Sequence, residues 1–199
     1  MKPAPRRAPG LTRRGGLGLA AAFLIAASPS AASEEAAWSA LRDGGVVALM
    51  RHARAPGMGD PPTFRLGDCT TQRNLSEAGR DQASRLGARF RAERVPVAGV
   101  RSSRWCRALD TATLAFPQLI VEPHATLDSF FGDSGAGAEQ TARARAMVDD
   151  WRSRQGTLAL VTHQVNMTAL TGIFPAEGEI VVLRPKPGAG FEVVGSVKP

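Results

Sequence analysis

The chain has only two cysteines, Cys69 and Cys106, and they do not have CxxC spacing, which excludes the common zinc-ribbon and dithiol redox sites. Its three histidines have no cluster of Cys, Asp or Glu beside them to complete a ligand set, so no metal and no cofactor are expected. No internal repeat or long low-complexity segment is present. The apolar stretch from Leu17 to Ala27 falls well short of the ~20 residues a helix needs to cross a bilayer. Acidic residues are absent before residue 33, whereas Lys2, Arg6, Arg7, Arg13 and Arg14 all lie there. The formal charge of +7 therefore misleads. Without that segment, 20 basic residues face 18 acidic ones and the net charge is +2. A nucleic-acid partner is not expected.

The same segment has the three parts of an export signal: a basic start, an apolar middle, and the small residues Ser30, Ala31 and Ala32 at its end. Thr12-Arg13-Arg14-Gly15-Gly16-Leu17 is similar to a twin-arginine signal, with a general secretory signal as the alternative. We expect residues 1–32 to be removed, leaving a domain over 33–199 in the periplasm or outside the cell, with no stable membrane span. About 167 residues are enough for one domain with a sizeable core. An oxidising compartment would let Cys69 and Cys106 pair; two separate buried thiols are the alternative.

Beyond residue 33, strand-like and helix-like runs alternate, the pattern of an α/β fold. A leading helix over Ser33 to Arg42 precedes Gly44-Gly45-Val46-Val47-Ala48-Leu49-Met50, an apolar run with the length and branching of a buried strand. Ala53 to Arg73 is rich in Pro and Gly and reads as a long loop over the strand end. A helix capped by Ser76 is expected to run to about Arg94. After it come a strand over Val97 to Arg101, a helix over Arg104 to Phe116 and a strand over Leu119 to Val121. A Gly-rich loop from Asp128 to Gly137, a helix from about Ala138 to Arg154, a strand over Thr157 to Thr162 and a closing hairpin over Ile180–Leu183 and Phe191–Val194 complete the chain.

Two of the three histidines, His52 and His163, each directly follow a buried-type strand, and the carboxyl ends of such strands are where open α/β sheets place ligands. Arg51 precedes His52, and Arg107 lies one turn into the helix after the second strand. Two guanidiniums and two imidazoles around one point suit a dianionic phosphoryl group, and the cations keep His52 unprotonated, as attack on phosphorus requires.

These residues carry a resemblance. Arg51-His52-Ala53 is similar to the Arg-His-Gly signature of the histidine phosphatase (phosphoglycerate mutase-like) superfamily. Leu75-Ser76-Glu77-Ala78-Gly79 with Gln82-Ala83, Ser102-Ser103 with Arg107-Ala108 and Thr111-Ala112, and Leu160-Val161-Thr162-His163 follow in the family order. Because His163-Gln164 does not resemble the His-Asp of the acid phosphatase branch, the smaller branch is the better match. The resemblance implies a single-domain three-layer α/β/α sandwich on a mostly parallel sheet. It implies His52 as a nucleophile forming a phosphohistidine, the phosphoryl group held by Arg51, Arg107 and His163, and a contribution from the backbone N–H of Gln164.

Ala53 replaces the usual glycine, and Ala55 stands where a threonine often contributes. The family's acidic proton donor sits in the loop after the third strand, where Asp128 is the first choice and Asp133 the second; the alternative for both is a solvated or capping role. Asn74 either turns to the phosphate or caps the following helix. Arg54, Arg65, Arg73 and Arg104 read as solvated surface, with an extension of the anion pocket as the alternative, and His124 as surface. The expectation is an exported phosphatase acting on a small phosphorylated substrate, with a phosphosugar or envelope phosphoglycan among the candidates. A non-catalytic phosphate- or phosphoglycan-binding module is the alternative.

Overall fold

The computed structural model describes residues 29–199, together with Met1 and Ala4; the expected export signal lies almost wholly outside the described residues. Six strands form one mixed sheet in the order β3-β2-β4-β1-β5-β6. They are β1 (Val46–Arg51), β2 (Val97–Ser102), β3 (Val121–Pro123), β4 (Thr157–Thr162), β5 (Ile180–Pro185) and β6 (Phe191–Val197). The first four are parallel, β5 runs antiparallel to β1, and β6 pairs antiparallel with β5. The resulting sheet is parallel on one side and closes with a hairpin on the other.

Side chains alternate across a strand, so the two faces of this sheet carry separate cores. Val46, Ala48 and Met50 of β1, with Ala159 and Val161 of β4, point to one face. There they meet α1 (Pro29–Asp43), α2 (Glu77–Ala92) and α3 (Cys106–Ala115) through Trp38, Leu41, Leu86, Phe90 and Ala112. Val47, Leu49, Leu158 and Leu160 point to the other face, against Met147, Val148 and Trp151 of α4 (Gly137–Asp149) and its C-terminal turn, and Met167 and Leu170 of α5 (Gln164–Thr171). This is the expected three-layer α/β/α sandwich. Gly87 of α2 allows close packing against α3, because a Cβ there would land on the Ala115 carbonyl.

Two elements differ from the sequence expectation. The third strand begins at Val121, with Ile120 almost wholly exposed: it is a three-residue edge strand, and edge position lets an apolar residue face water. Helix α5 has no counterpart in the sequence reading. It has only eight residues, includes Val165, Thr168 and Thr171, and starts after His163 without a side-chain cap; the local signals that announce a helix are therefore weak.

Cys69 and Cys106 form a disulfide across 37 residues. It ties the long loop after β1 to the first residue of α3, beside Arg107. On the chain-entropy relation a loop of that length contributes ~4 kcal/mol. The Cys69→Ser/Cys106→Ser variant is expected to lose that order of stability in urea unfolding, and adding reductant to the wild type should reproduce the loss.

Candidate active site

Pairing of β1 with β4 sets Arg51 opposite Thr162, so the next residues, His52 and His163, leave the sheet side by side. Their rings pack edge to face with centroids 5.3 Å apart. The backbone fixes this further: His52 N–H donates to the Thr162 carbonyl at 2.9 Å, and Ser103 N–H, just past β2, donates to that of Val161 at 2.9 Å. Three parallel strands thus deliver Arg51 and His52, Ser103 to Arg107, and His163 to one sheet edge. Gly79 of α2 closes in from the side, where a Cβ would collide with the Arg54 carbonyl.

His52 is 2 % exposed. Its Nδ1 lies 2.8 Å from the Ala53 carbonyl oxygen. A carbonyl only accepts, so Nδ1 carries the proton and Nε2 keeps its lone pair. Burial, the principal cause, and the charges of Arg107, Arg51 and Arg73 lower the pKa of His52 to about 3, against the opposing effect of the Ala53 hydrogen bond. The imidazole is neutral at pH 7.

His163 is equally buried, and burial, then the neighbouring His52 and Arg107, hold its pKa well below the ordinary histidine value. Its Nε2 lies 2.7 Å from Ser103 Oγ. That hydroxyl donates to Asp128 Oδ1 at 3.3 Å and accepts from Trp105 N–H at 3.2 Å. With the hydroxyl proton directed to Asp128, His163 Nε2 is the donor to Ser103.

Arg107, 2 % exposed, is held end-on by a carboxylate that the sequence reading did not single out. Its Nη1 donates to Asp60 Oδ1 at 2.7 Å and its Nη2 to Asp60 Oδ2 at 3.1 Å, while Nη1 also reaches the Arg73 carbonyl at 3.3 Å. Asp60 further accepts from Trp105 Nε1 at 3.0 Å and Arg73 N–H at 3.1 Å. Burial raises the Asp60 pKa, but Arg107, Arg73 N–H and Trp105 outweigh it and keep the carboxyl below its usual range. A guanidinium has five N–H groups. The end-on pair with Asp60 leaves the side edge, Nε–H and the second Nη2–H, as a fork for another anion.

Arg51 donates from Nη1 to the Pro175 carbonyl at 2.9 Å and lies 3.9 Å from Glu177. Its Nε, the Nε of Arg107 and the Nδ1 of His163 are all buried without a partner among the described residues. A buried donor or acceptor left unpaired costs about 1–3 kcal/mol, and these three nitrogens belong to residues that line one cleft of about 690 Å³. Arg73 also lines it, donating from Nε to the Gly59 carbonyl at 2.8 Å and from Nη1 to that of Ala55. It is a part of the pocket rather than solvated surface.

The remaining candidates are placed differently. Gln164 lines the cleft as the first residue of α5, its side chain donating to Thr168 Oγ1 at 2.8 Å. Asp128 is not brought into the cleft lining. Its carboxylate accepts from Arg104 N–H at 2.8 Å and Arg104 Nε at 2.7 Å, besides Ser103, so it braces the chain entering α3. Asp133 lies on the exposed rim of the cleft. Asn74 neither lines the cleft nor caps α2; it donates to the Cys69 carbonyl at 2.7 Å, and Ser76 is the cap. Arg104 pairs with Asp128, Arg54 and Arg65 are exposed, and half-buried His124 caps a short 3₁₀ turn. Among the described residues, no three Cys, His, Asp or Glu side chains gather to hold a metal ion, and no helix is long and apolar enough to cross a membrane.

Comparison with known proteins places this arrangement. Residues 47–130 match the model of the histidine phosphatase superfamily (branch 1). Among solved structures, the chain is similar to YhfR of Bacillus stearothermophilus, with 19% identity and a TM-score of 0.57 over 74% of this chain and 94% of that one. It is similar to the protein histidine phosphatase SixA complexed with tungstate, with 18% identity and a TM-score of 0.56 over 77% and 97%. It also resembles the mycobacterial glucosyl-3-phosphoglycerate phosphatase Rv2419c with VO3, with 16% identity and a TM-score of 0.56 over 74% and 96%. No curated protein matches the chain in sequence.

Proposed function

Because this chain belongs to the histidine phosphatase superfamily, we propose that it hydrolyses a phosphomonoester through a phosphohistidine on His52. The observation that carries this reading is the set of three unpartnered buried nitrogens, Arg51 Nε, Arg107 Nε and His163 Nδ1, on residues that line one cleft with a neutral His52. A phosphoryl dianion satisfies all three. The side edge of Arg107 takes two of its oxygens and Arg51 Nε another; the charge of the dianion offsets the burial that keeps His163 neutral, so its Nδ1 takes up a proton and donates as the anion binds. The backbone N–H of Gln164, at the start of α5, adds a donor favoured by the helix dipole.

In the first step His52 Nε2 forms a bond to phosphorus as the bond to the leaving oxygen breaks and that oxygen takes a proton. In the second, water forms the new bond to phosphorus, the N–P bond breaks and the water's proton departs. Positioning and charge stabilisation are most of what such a transfer asks of a protein. Asp128 is committed to Arg104 and Ser103, so this reading makes Asp133, which lines the cleft at its rim, the donor of the leaving oxygen's proton in the first step and the acceptor of the water's proton in the second. Asp133→Asn should slow hydrolysis of alkyl phosphates by ~10²-fold while changing far less that of 4-nitrophenyl phosphate, whose leaving group needs no proton.

The pH dependence has a definite sign. Since burial holds the folded pKa of His52 near 3 and an unfolded histidine titrates near 6.5, the nucleophile stays competent as pH falls below 6.5. Once the substrate's own ionisation is allowed for, kcat/KM should show no loss attributable to His52 down to about pH 4. Stability follows the same linkage: the contribution of His52 is fully present above pH 6.5 and is lost as pH falls from there toward 3. A plain histidine limb near pH 6.5 in kcat/KM would contradict the neutral buried nucleophile.

The export pattern at the amino terminus supports a periplasmic or extracellular setting and a small phosphorylated substrate found there, such as a phosphosugar or envelope phosphoglycan; fractionation of cells expressing the full chain tests the setting. One observation favours the non-catalytic alternative: Asp128 stands outside the cleft lining. The deciding experiment assays phosphate release from a broad panel of phosphomonoesters alongside equilibrium binding of inorganic phosphate. Turnover supports the phosphatase. Binding without turnover of any ester supports the phosphoglycan-binding module and overturns the phosphatase.

A further inference from the structure

Above the phosphoryl pocket, the cleft mouth is built from two loops that meet. The first is the turn from Gly57 to Phe64 after β1, and the second is Ser129 to Asp133 after β3; a Cβ on Gly59 would already contact the Phe131 ring. Met58 is 85% exposed and Phe131 57% exposed, and both line the cleft. Large apolar side chains left in water on both sides of one opening mark a ligand contact rather than scattered surface.

The apolar character continues inward without a break. Phe64 stacks on Trp105 with centroids 5.0 Å apart, and Trp105 meets the His163 ring edge to face at 5.6 Å. Phe130 completes the opposite wall, its ring packed over Gly137 at the start of α4. An aromatic wall therefore leads from the His163 imidazole toward the surface.

Charge at the mouth narrows the class further. The only arginines or lysines lining the cleft among the described residues are Arg51, Arg73 and Arg107. All three are engaged in part: Arg51 with the Pro175 carbonyl, Arg73 with the carbonyls of Ala55 and Gly59, Arg107 with Asp60. The ionisable side chain on the exposed rim is Asp133, an acid. A leaving group carrying its own carboxylate would therefore meet no spare cation.

We propose that the mouth formed by Met58, Phe64, Trp105, Phe130 and Phe131 is a leaving-group subsite for uncharged groups with a flat apolar face, and that it discriminates against carboxylate-bearing phosphomonoesters. The proposal rests on the phosphatase reading. An aryl ring and the C–H face of a sugar both offer this chemistry.

The test uses the purified protein and four primary alkyl phosphates, so that leaving-group acidity varies little. Two are uncharged beyond the phosphate, 2-naphthylmethyl phosphate and glucose 6-phosphate; two carry a carboxylate, phosphoserine and 3-phosphoglycerate. The preferred uncharged ester should exceed both carboxylate esters in kcat/KM by about 10-fold or more, and a lead for the naphthyl or the glucosyl compound assigns the aryl or the sugar source. Phe131→Ala and Met58→Ala should each raise KM for the preferred ester by about 5- to 20-fold and leave the Ki of inorganic phosphate unchanged. Carboxylate esters processed as well as the uncharged ones would overturn the subsite, as would variants that shift the phosphate Ki together with every KM. If no ester is hydrolysed, the phosphatase reading fails by itself. The subsite is then judged by calorimetric binding of the same four compounds, where the same ranking supports it and an equal or inverted one overturns it.

Discussion

Replacing His52 with alanine is expected to lower phosphate release by at least ~10⁴-fold and to remove the phosphoenzyme altogether. Losses of this order follow when the attacking atom itself is deleted, because the remaining groups position a substrate with nothing to receive the phosphoryl group. The diagnostic is the bond as well as the rate: wild type quenched during turnover should carry phosphate that is labile to acid and stable to base, the behaviour of phosphohistidine, and His52→Ala should carry none. The variant should fold, since the substitution removes a buried polar ring whose Nδ1 bond to Ala53 is local and leaves the β1–β4 ladder intact. Retained turnover with an unchanged circular dichroism spectrum would remove His52 from the mechanism.

The second large effect is expected at Arg107. Arg107→Ala removes both the side edge that receives the phosphoryl oxygens and the end-on partner of Asp60. The first loss should lower kcat/KM by ~10²- to 10³-fold. The second leaves a carboxylate whose side chain is 16% exposed with its main cation gone, and breaking a buried pair from one side costs about 3–5 kcal/mol; partial exposure places Asp60 at the lower end. Arg107→Ala/Asp60→Ala separates the two effects, since it should recover much of the stability and none of the activity. Arg107→Lys should recover little of either, because an ammonium offers no planar fork to hold Asp60 on one edge and phosphate on another. Urea unfolding and steady-state kinetics on the same preparations check both halves.

What was legible in the sequence follows from how each feature is encoded. The strands carrying His52 and His163 were plain, because in an α/β chain a short uninterrupted apolar run ending in a polar residue is the mark of a strand buried on both faces. Arg107 was legible through its offset from the second strand. Asp60 was not, since it lies among Pro61, Pro62, Gly57 and Gly59, where no periodicity indicates which side chain turns inward. Arg73 was one of four arginines that could extend the pocket, and the same lack of periodicity left open which of them turns inward. Asp128 shows the opposite limit. Its loop lies where the sequence placed it, but the direction of its carboxylate was decided by two competing donors on Arg104, one of them a backbone N–H that needed satisfying at the entry to α3.

The strand register has a consequence for how this site tolerates change. The spacing of the two imidazoles is measured by the β1–β4 ladder, in which Arg51 faces Thr162, and not by the loops that surround them. Insertions or deletions between residues 53 and 75, or in the turn before α4, can therefore remodel the opening while the distance between His52 and His163 stays as it is. A single residue inserted within either strand would send one imidazole to the opposite face of the sheet. The spacing of the two imidazoles is thus indifferent to loop length and sensitive to strand length.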